Sequence, residues 1–140
     1  MPIGNINYLA ILVCGILNMV LGFLWYGPIF GKTWAKMMGF DAMDKNKKKE
    51  MQKKAGPAYG IMFLTSLLTA YILVHFTGYA MAKTWIDGVV TGLWAWLGFV
   101  LPATLSTALF GGKNIKVWAI ESGYYLVSLL MFGAILVAWM

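Results

Sequence analysis

The chain has 140 residues, 61% of them apolar and only 11% charged, with a mean hydropathy of +0.74; a soluble domain carries about 25% charged residues, so this composition belongs to a bilayer protein. All eleven basic residues are Lys, against five acidic ones, for a net charge of +6. Without Arg there is no bidentate fork for phosphate or carboxylate, and a single Cys excludes both an internal disulfide and a thiolate metal cluster.

Four stretches carry no charged residue: 1–31, 55–82, 88–112 and 122–140. A helix rises 1.5 Å per residue, so about 20 apolar residues cross a hydrocarbon core of about 30 Å. Unpaired backbone amides in lipid cost several kcal/mol each, so these segments have to be helices. The expectation is an all-α integral membrane protein, a four-helix transmembrane bundle that uses the whole chain as one domain.

Span one covers about 6–26. The residues before it lack a basic region, and the apolar run is too long for a signal core, so it reads as a transmembrane helix. It ends in Trp25-Tyr26-Gly27-Pro28, an aromatic pair suited to the interface followed by helix-stopping residues. The connector 32–54 holds eight Lys against Asp41, Asp44 and Glu50. Asp41 or Asp44 is placed to cap a short solvated helix running to Lys54, with Gly56-Pro57 as punctuation before span two at about 58–79. Span three covers about 88–110, broken near its middle by Pro102, and span four about 117–139. Leu21-Gly22-Phe23 with Pro28 faintly echoes Leu97-Gly98-Phe99 with Pro102, as a parallel repeat would.

The first and third links hold ten Lys, while the N-terminus and middle link hold one. The positive-inside rule then puts both Lys-rich links in the cytoplasm and both termini outside. In this orientation Lys45, Lys47, Lys48, Lys49, Lys53 and Lys54 reach the anionic headgroups of a bacterial cytoplasmic (inner) membrane. Nucleic-acid recognition, which needs interleaved aromatics or Arg, is not expected.

Polar groups inside spans are the natural functional candidates. Glu121 is the one acidic residue flanked by apolar sequence, about a turn inside the cytoplasmic end of span four; it is either a proton or cation ligand, or an interfacial partner of Lys113, Lys116 or Lys32. By depth, Asn18, Thr65, Ser66, Ser106 and Thr107 share the inner half of the membrane with it, as a polar pocket or as packing glue. The single His, His75, lies near the outer end with Asp87, Asn5 and Asn7 as neighbours within reach, and lacks ligands at metal spacing. Cys14, Asn18 and Gly22 form a small-and-polar stripe, and Gly92, Gly98 and Gly123 extend the set of helix-packing residues. No nucleophile and base pair, phosphate loop, paired carboxylates, metal site or cofactor motif is found.

Asn7-Tyr8-Leu9-Ala10, Leu21-Gly22-Phe23-Leu24-Trp25-Tyr26-Gly27-Pro28, Phe30-Gly31-Lys32-Thr33-Trp34, Gly123-Tyr124-Tyr125-Leu126-Val127 and Gly133-Ala134-Ile135-Leu136 with Trp139 together resemble an uncharacterised bacterial membrane family, domain of unknown function 1761. The resemblance covers nearly the whole chain and implies the four-span plan. Where that family is expected to have a Phe-Glu-x-Arg-like stretch after span three, this chain has Phe110-Gly111-Gly112-Lys113, which removes an acidic group and an Arg from the inner rim. The family carries no established activity. The first expectation is therefore a non-enzymatic helix-packing protein, a homo-oligomer or a subunit of a larger membrane complex; the alternative is a small oligomeric transporter or channel using Glu121 and the inner-half polar residues.

Overall fold

The computed structural model describes residues 5–139, apart from the side chain of Asp41, so the capping role considered for Asp41 lies outside the described residues. Helix α1 (Tyr8–Leu24) starts where the Asn7 side chain accepts from the Ala10 N–H. It runs into a widened turn, Trp25–Ile29, in which Phe30 N–H reaches back five residues to the Trp25 carbonyl at 2.9 Å. Pro28 cannot donate and Gly27 leaves helical geometry (φ −110°, ψ −106°), so the chain bends there. The short helix α2 (Gly31–Met37) follows and ends at Gly39, whose φ of 77° suits a residue without Cβ.

Helix α3 (Lys45–Tyr79) is capped by Asp44, which accepts from Lys47 N–H at 2.8 Å. It is one continuous helix of 35 residues, and the expected break at Gly56-Pro57 does not occur. Pro57 removes the bond to the Lys53 carbonyl, but both residues are exposed, so this end of the helix has room and an accessible acceptor to tolerate the loss. At 1.5 Å per residue the helix is about 52 Å long, well beyond a hydrocarbon core of about 30 Å, so its Lys-rich first turns project past the apolar part.

Helix α4 (Trp85–Ala95) begins earlier than the sequence suggests. Thr84 and Asp87 form a reciprocal capping box that fixes the start at Trp85. A second widened turn, Trp96–Val100, leads into α5 (Leu101–Phe110). Leu101 N–H bonds the Trp96 carbonyl across it, so the break expected at Pro102 is absorbed in the turn before the proline. Helix α6 (Ile115–Ala138) is capped by Asn114.

The described residues contain helices and turns without a strand, and four helical stretches are long and apolar enough to cross a membrane: Tyr8–Ile29, Lys45–Tyr79, Trp85–Phe110 and Ile115–Ala138. α6 is the centre. Half of its most apolar window is buried, against 28%, 22% and 11% for the first, second and third spans. Ala10, Cys14, Ala70, Leu73, Leu129, Phe132 and Leu136 form the core where α1, α3 and α6 meet. Against α4 the contact is closer still: a Cβ on Gly88 would overlap the Gly133 carbonyl, and one on Gly92 the Leu129 carbonyl. Leu64, Leu68, Trp94 and Phe99 point outward, which lipid accepts without cost. Asn7 Nδ2 donates to the Trp139 carbonyl at 2.7 Å, so the start of α1 and the end of α6 lie at one end of the molecule.

Candidate functional site

The interior polar groups close on one another. Asn18 on α1 donates to Ser66 Oγ on α3 at 2.6 Å and accepts from Ser128 Oγ on α6 at 2.6 Å. The Tyr124 hydroxyl donates to the Asn18 backbone carbonyl at 3.0 Å. Ser66 in turn donates to the Met62 carbonyl of its own helix, and the one hydroxyl proton of Ser128 is shared between Asn18 Oδ1 and the Tyr124 carbonyl at 2.8 Å. One amide thereby ties three spans together, and no buried side-chain polar atom among the described residues lacks a partner. Gly22, one turn from Asn18, leaves the space that the Tyr124 ring fills; a Cβ there would sit 3.3 Å from its oxygen.

Towards the other end, two tryptophans grip α6. Trp25 Nε1 donates to the Ile120 carbonyl at 2.8 Å and Trp96 Nε1 to the Ser122 carbonyl at 2.9 Å. Each indole opens one of the widened turns, so both distortions aim a donor at the same segment of α6. Gly123 makes room for the Trp25 ring, 3.2 Å from where its Cβ would be. The correspondence between the halves is thus Trp25 with Trp96, a register different from the Leu-Gly-Phe echo.

Between these carbonyls stands Glu121. Its carboxylate pairs with Lys113 Nζ at 3.0 Å and accepts from Trp34 Nε1 at 3.3 Å. The two charged side chains are 34% and 27% exposed, so their attraction contributes only about 0 to 1 kcal/mol. Glu121 borders a groove of about 610 Å³ between α1, α2, α3 and α6, lined also by Met19, Phe23, Tyr26, Trp34, Tyr59, Met62, Tyr124 and Tyr125. The rings form a row: Trp34 to Tyr26 at 5.1 Å, Tyr26 to Tyr124 at 5.6 Å, Tyr124 to Tyr125 at 5.5 Å. A second groove of about 510 Å³ shares Tyr26 and Gly27 with the first and is bordered by Gly31, Lys32, Ala35 and Lys36. Chemically, the pair of grooves offers one carboxylate, aromatic faces and cationic side chains beside apolar walls.

Of the polar residues grouped by depth, Asn18 and Ser66 meet, while Glu121 belongs to the groove. Thr65, Ser106 and Thr107 do not join them and are exposed; Thr65 and Thr107 satisfy their hydroxyls on their own helices, at the Met62 and Ala103 carbonyls. Depth alone placed them together, but their azimuths around α3 and α5 turn them outward. His75 is partly buried and packs edge-on against Tyr71 at 4.9 Å, whereas Asp87 is engaged by Lys83 and Thr84 backbone N–H groups in its cap. No hydrogen bond joins His75 to Asp87, Asn5 or Asn7 in the described structure, since Asn7 is taken up by its cap and by Trp139. Cys14 is fully buried in the core. Gly98 is exposed, and no described atom lies within 4 Å of where its Cβ would be. Lys45, Lys47, Lys48, Lys49, Lys53 and Lys54 are all exposed on the projecting part of α3. Among the described residues no cluster of three His, Cys, Asp or Glu could hold a metal.

The sequence reading passed over Tyr124, Trp34, Trp25 and Trp96 as site residues. Their signal was present in part: Tyr124 and Ser128 lie one turn apart on a helix, and Trp25 precedes Pro28 by three residues and Trp96 precedes Pro102 by six. No curated protein and no solved structure matches the chain. Residues 9–137, nearly its whole length, match the family described as Protein of unknown function (DUF1761), and the chain belongs to that family.

Proposed function

We propose that this is a non-enzymatic protein of the bacterial cytoplasmic membrane that works by helix association, with further copies of itself or as an accessory subunit of a larger membrane complex. The observation that carries this reading is the outward face of the third span. Gly98, Pro102 and Ser106 succeed one another there at four-residue spacing, all exposed, beside Ala103 and Thr107. Such small residues let a second helix come close, and the hydroxyls can bond across the contact. The inner polar groups, by contrast, are already consumed: Asn18, Ser66, Ser128 and Tyr124 bond one another. Both termini outside and the Lys-rich connector in the cytoplasm follow from the lysine bias of the links, and Lys45 to Lys54 then meet anionic lipid at about 1 kcal/mol per Lys.

The test uses differently labelled full-length copies in proteoliposomes, and affinity-tagged chain extracted in mild detergent. Gly98→Leu and Ser106→Leu are expected to abolish energy transfer between copies or the retention of a defined partner, with helicity unchanged. A wild-type chain that is a lone monomer, indifferent to both substitutions, overturns the reading.

A second reading, a small oligomeric transporter or channel using Glu121, is favoured by the groove beside that carboxylate. It requires that Glu121→Gln abolish a pH-dependent flux in proteoliposomes while assembly stays intact.

A further inference from the structure

The two grooves that meet at Tyr26 and Gly27 differ in what they offer. The larger has apolar walls from Met19, Phe23 and Met62, then the rings of Tyr26 and Trp34, with the Glu121 carboxylate beside them. Phe23 and Tyr59, with ring centroids 5.5 Å apart, flank it and are about half exposed. The smaller groove is bordered by Lys32 and Lys36, one turn apart on α2. At about 610 Å³ and 510 Å³ each is of the size that small-molecule sites have, roughly 300 to 1,000 Å³.

Charge decides between occupants. An amphiphile bearing only a positive charge would meet Lys32, Lys36 and Lys113 with one carboxylate to attract it. An amphiphile bearing only a phosphate would suit Lys32 and Lys36 but make no contact with the Glu121 carboxylate, which Lys113 would continue to hold. A molecule with a phosphate and an ammonium a few atoms apart satisfies both grooves. We infer that the joined grooves seat one phospholipid of the adjoining leaflet whose headgroup carries an ammonium. Its phosphate lies at Lys32 and Lys36, its ammonium at Glu121 over the Tyr26 and Trp34 rings, and its acyl chains run along Met19, Phe23 and Met62.

Each contact has a physical basis. Lysine binds phosphate as a point charge, and aromatic faces attract an ammonium within about 6 Å. Lys113 now occupies the carboxylate at 3.0 Å, but as a partly exposed pair it can be exchanged for an ammonium that brings the same charge. This site stands on its own geometry and is independent of association through the third span.

The experiment reconstitutes the full chain in vesicles of equal phosphatidylethanolamine and phosphatidylglycerol, extracts it in mild detergent and weighs the lipid it retains by native mass spectrometry. Phosphatidylethanolamine should be retained severalfold over phosphatidylglycerol. Glu121→Gln should bring the two to parity, and Glu121→Asp should restore the preference. Lys32→Gln with Lys36→Gln should lower retention of both lipids severalfold; these exposed α2 positions carry the test if Glu121→Gln fails to assemble. Equal retention by the wild type, preference for phosphatidylglycerol, a preference untouched by Glu121→Gln, or retention untouched by the double lysine change overturns the proposal.

Discussion

The two seams of α6 hold by opposite means. Against α4 the helices meet backbone to backbone, with Gly88 and Gly92 on one side and Gly133 and Leu129 on the other, and nothing polar is needed. Against α1 and α3 the helices stand further apart, and the gap is filled by Asn18, Ser66, Ser128 and the Tyr124 ring. Dispersion alone fixes the first seam, whereas the second adds hydrogen bonds to an apolar core of Cys14, Leu73 and Phe132, because lipid supplies no hydrophobic force between helices. The consequence is that the second seam widens into a groove, where rings and hydroxyls spread the helices.

The sharpest way to break this contrast is to give the glycine seam a side chain. Gly133→Leu should push α4 off α6 and cost about 3 kcal/mol or more, since overpacking in a close-packed interface already costs 1 to 3 and here the obstacle is backbone. Steric trapping or thermal unfolding in mild detergent would measure it. If Gly133→Leu unfolds at the wild-type midpoint, the seam is not a close backbone contact. The polar seam should be more forgiving. Asn18→Leu removes the bridge, but Ser66 and Ser128 keep bonds to the Met62 and Tyr124 carbonyls. The expected loss is about 1 to 2 kcal/mol, in line with hydrogen bonds between helices in membranes. A loss as large as that of Gly133→Leu would mean that the amide holds the whole bundle.

The tryptophan grips come next. Trp25→Phe and Trp96→Phe each delete one indole donor while keeping a ring, so each should cost about 1 kcal/mol in the same assay. Tryptophan fluorescence of the two single variants would separate the sites. Because both carbonyls lie within three residues of α6, the double variant should lose less than the sum if the grips act together, since each single change already forfeits their coupling. Strict additivity would show two independent anchors.

Architecture was readable because the bilayer imposes one rule on every residue: twenty apolar positions in a row cross as a helix. Four apolar helices, their order and a cap at Asp41 or Asp44 follow from such local signals; the choice of Asp44 does not. The continuity of α3 through Pro57 was not readable, since a helix tolerates proline only where the freed carbonyl is accessible, and that depends on what surrounds it. Depth along a span is encoded in sequence position, so Asn18 and Ser66 could be set at one level. Azimuth is not, so Thr65, Ser106 and Thr107 shared the level without sharing the face. The grips of Trp25 and Trp96 stayed hidden for a further reason. They depend on widened turns whose extra rotation no fixed 3.6-residue period anticipates.

The smallest effect on the isolated chain is expected at Gly98, and it is the most informative. Gly98 and Gly133 both lie in spans and both look like packing glycines in sequence. Gly133 abuts the Gly88 backbone, whereas no described atom lies within 4 Å of a Cβ on Gly98. A substitution such as Gly98→Leu should therefore change monomer stability by about 0.5 kcal/mol or less, as surface substitutions do. If helix association runs through the third span, the same change should still abolish contact between copies or with a partner, so the two readouts part company. Gly133→Leu cannot produce that separation, because it damages the fold that any association requires. A Gly98→Leu chain that keeps both its stability and its associations leaves the outward face as lipid-facing surface and moves the functional weight to the groove at Glu121.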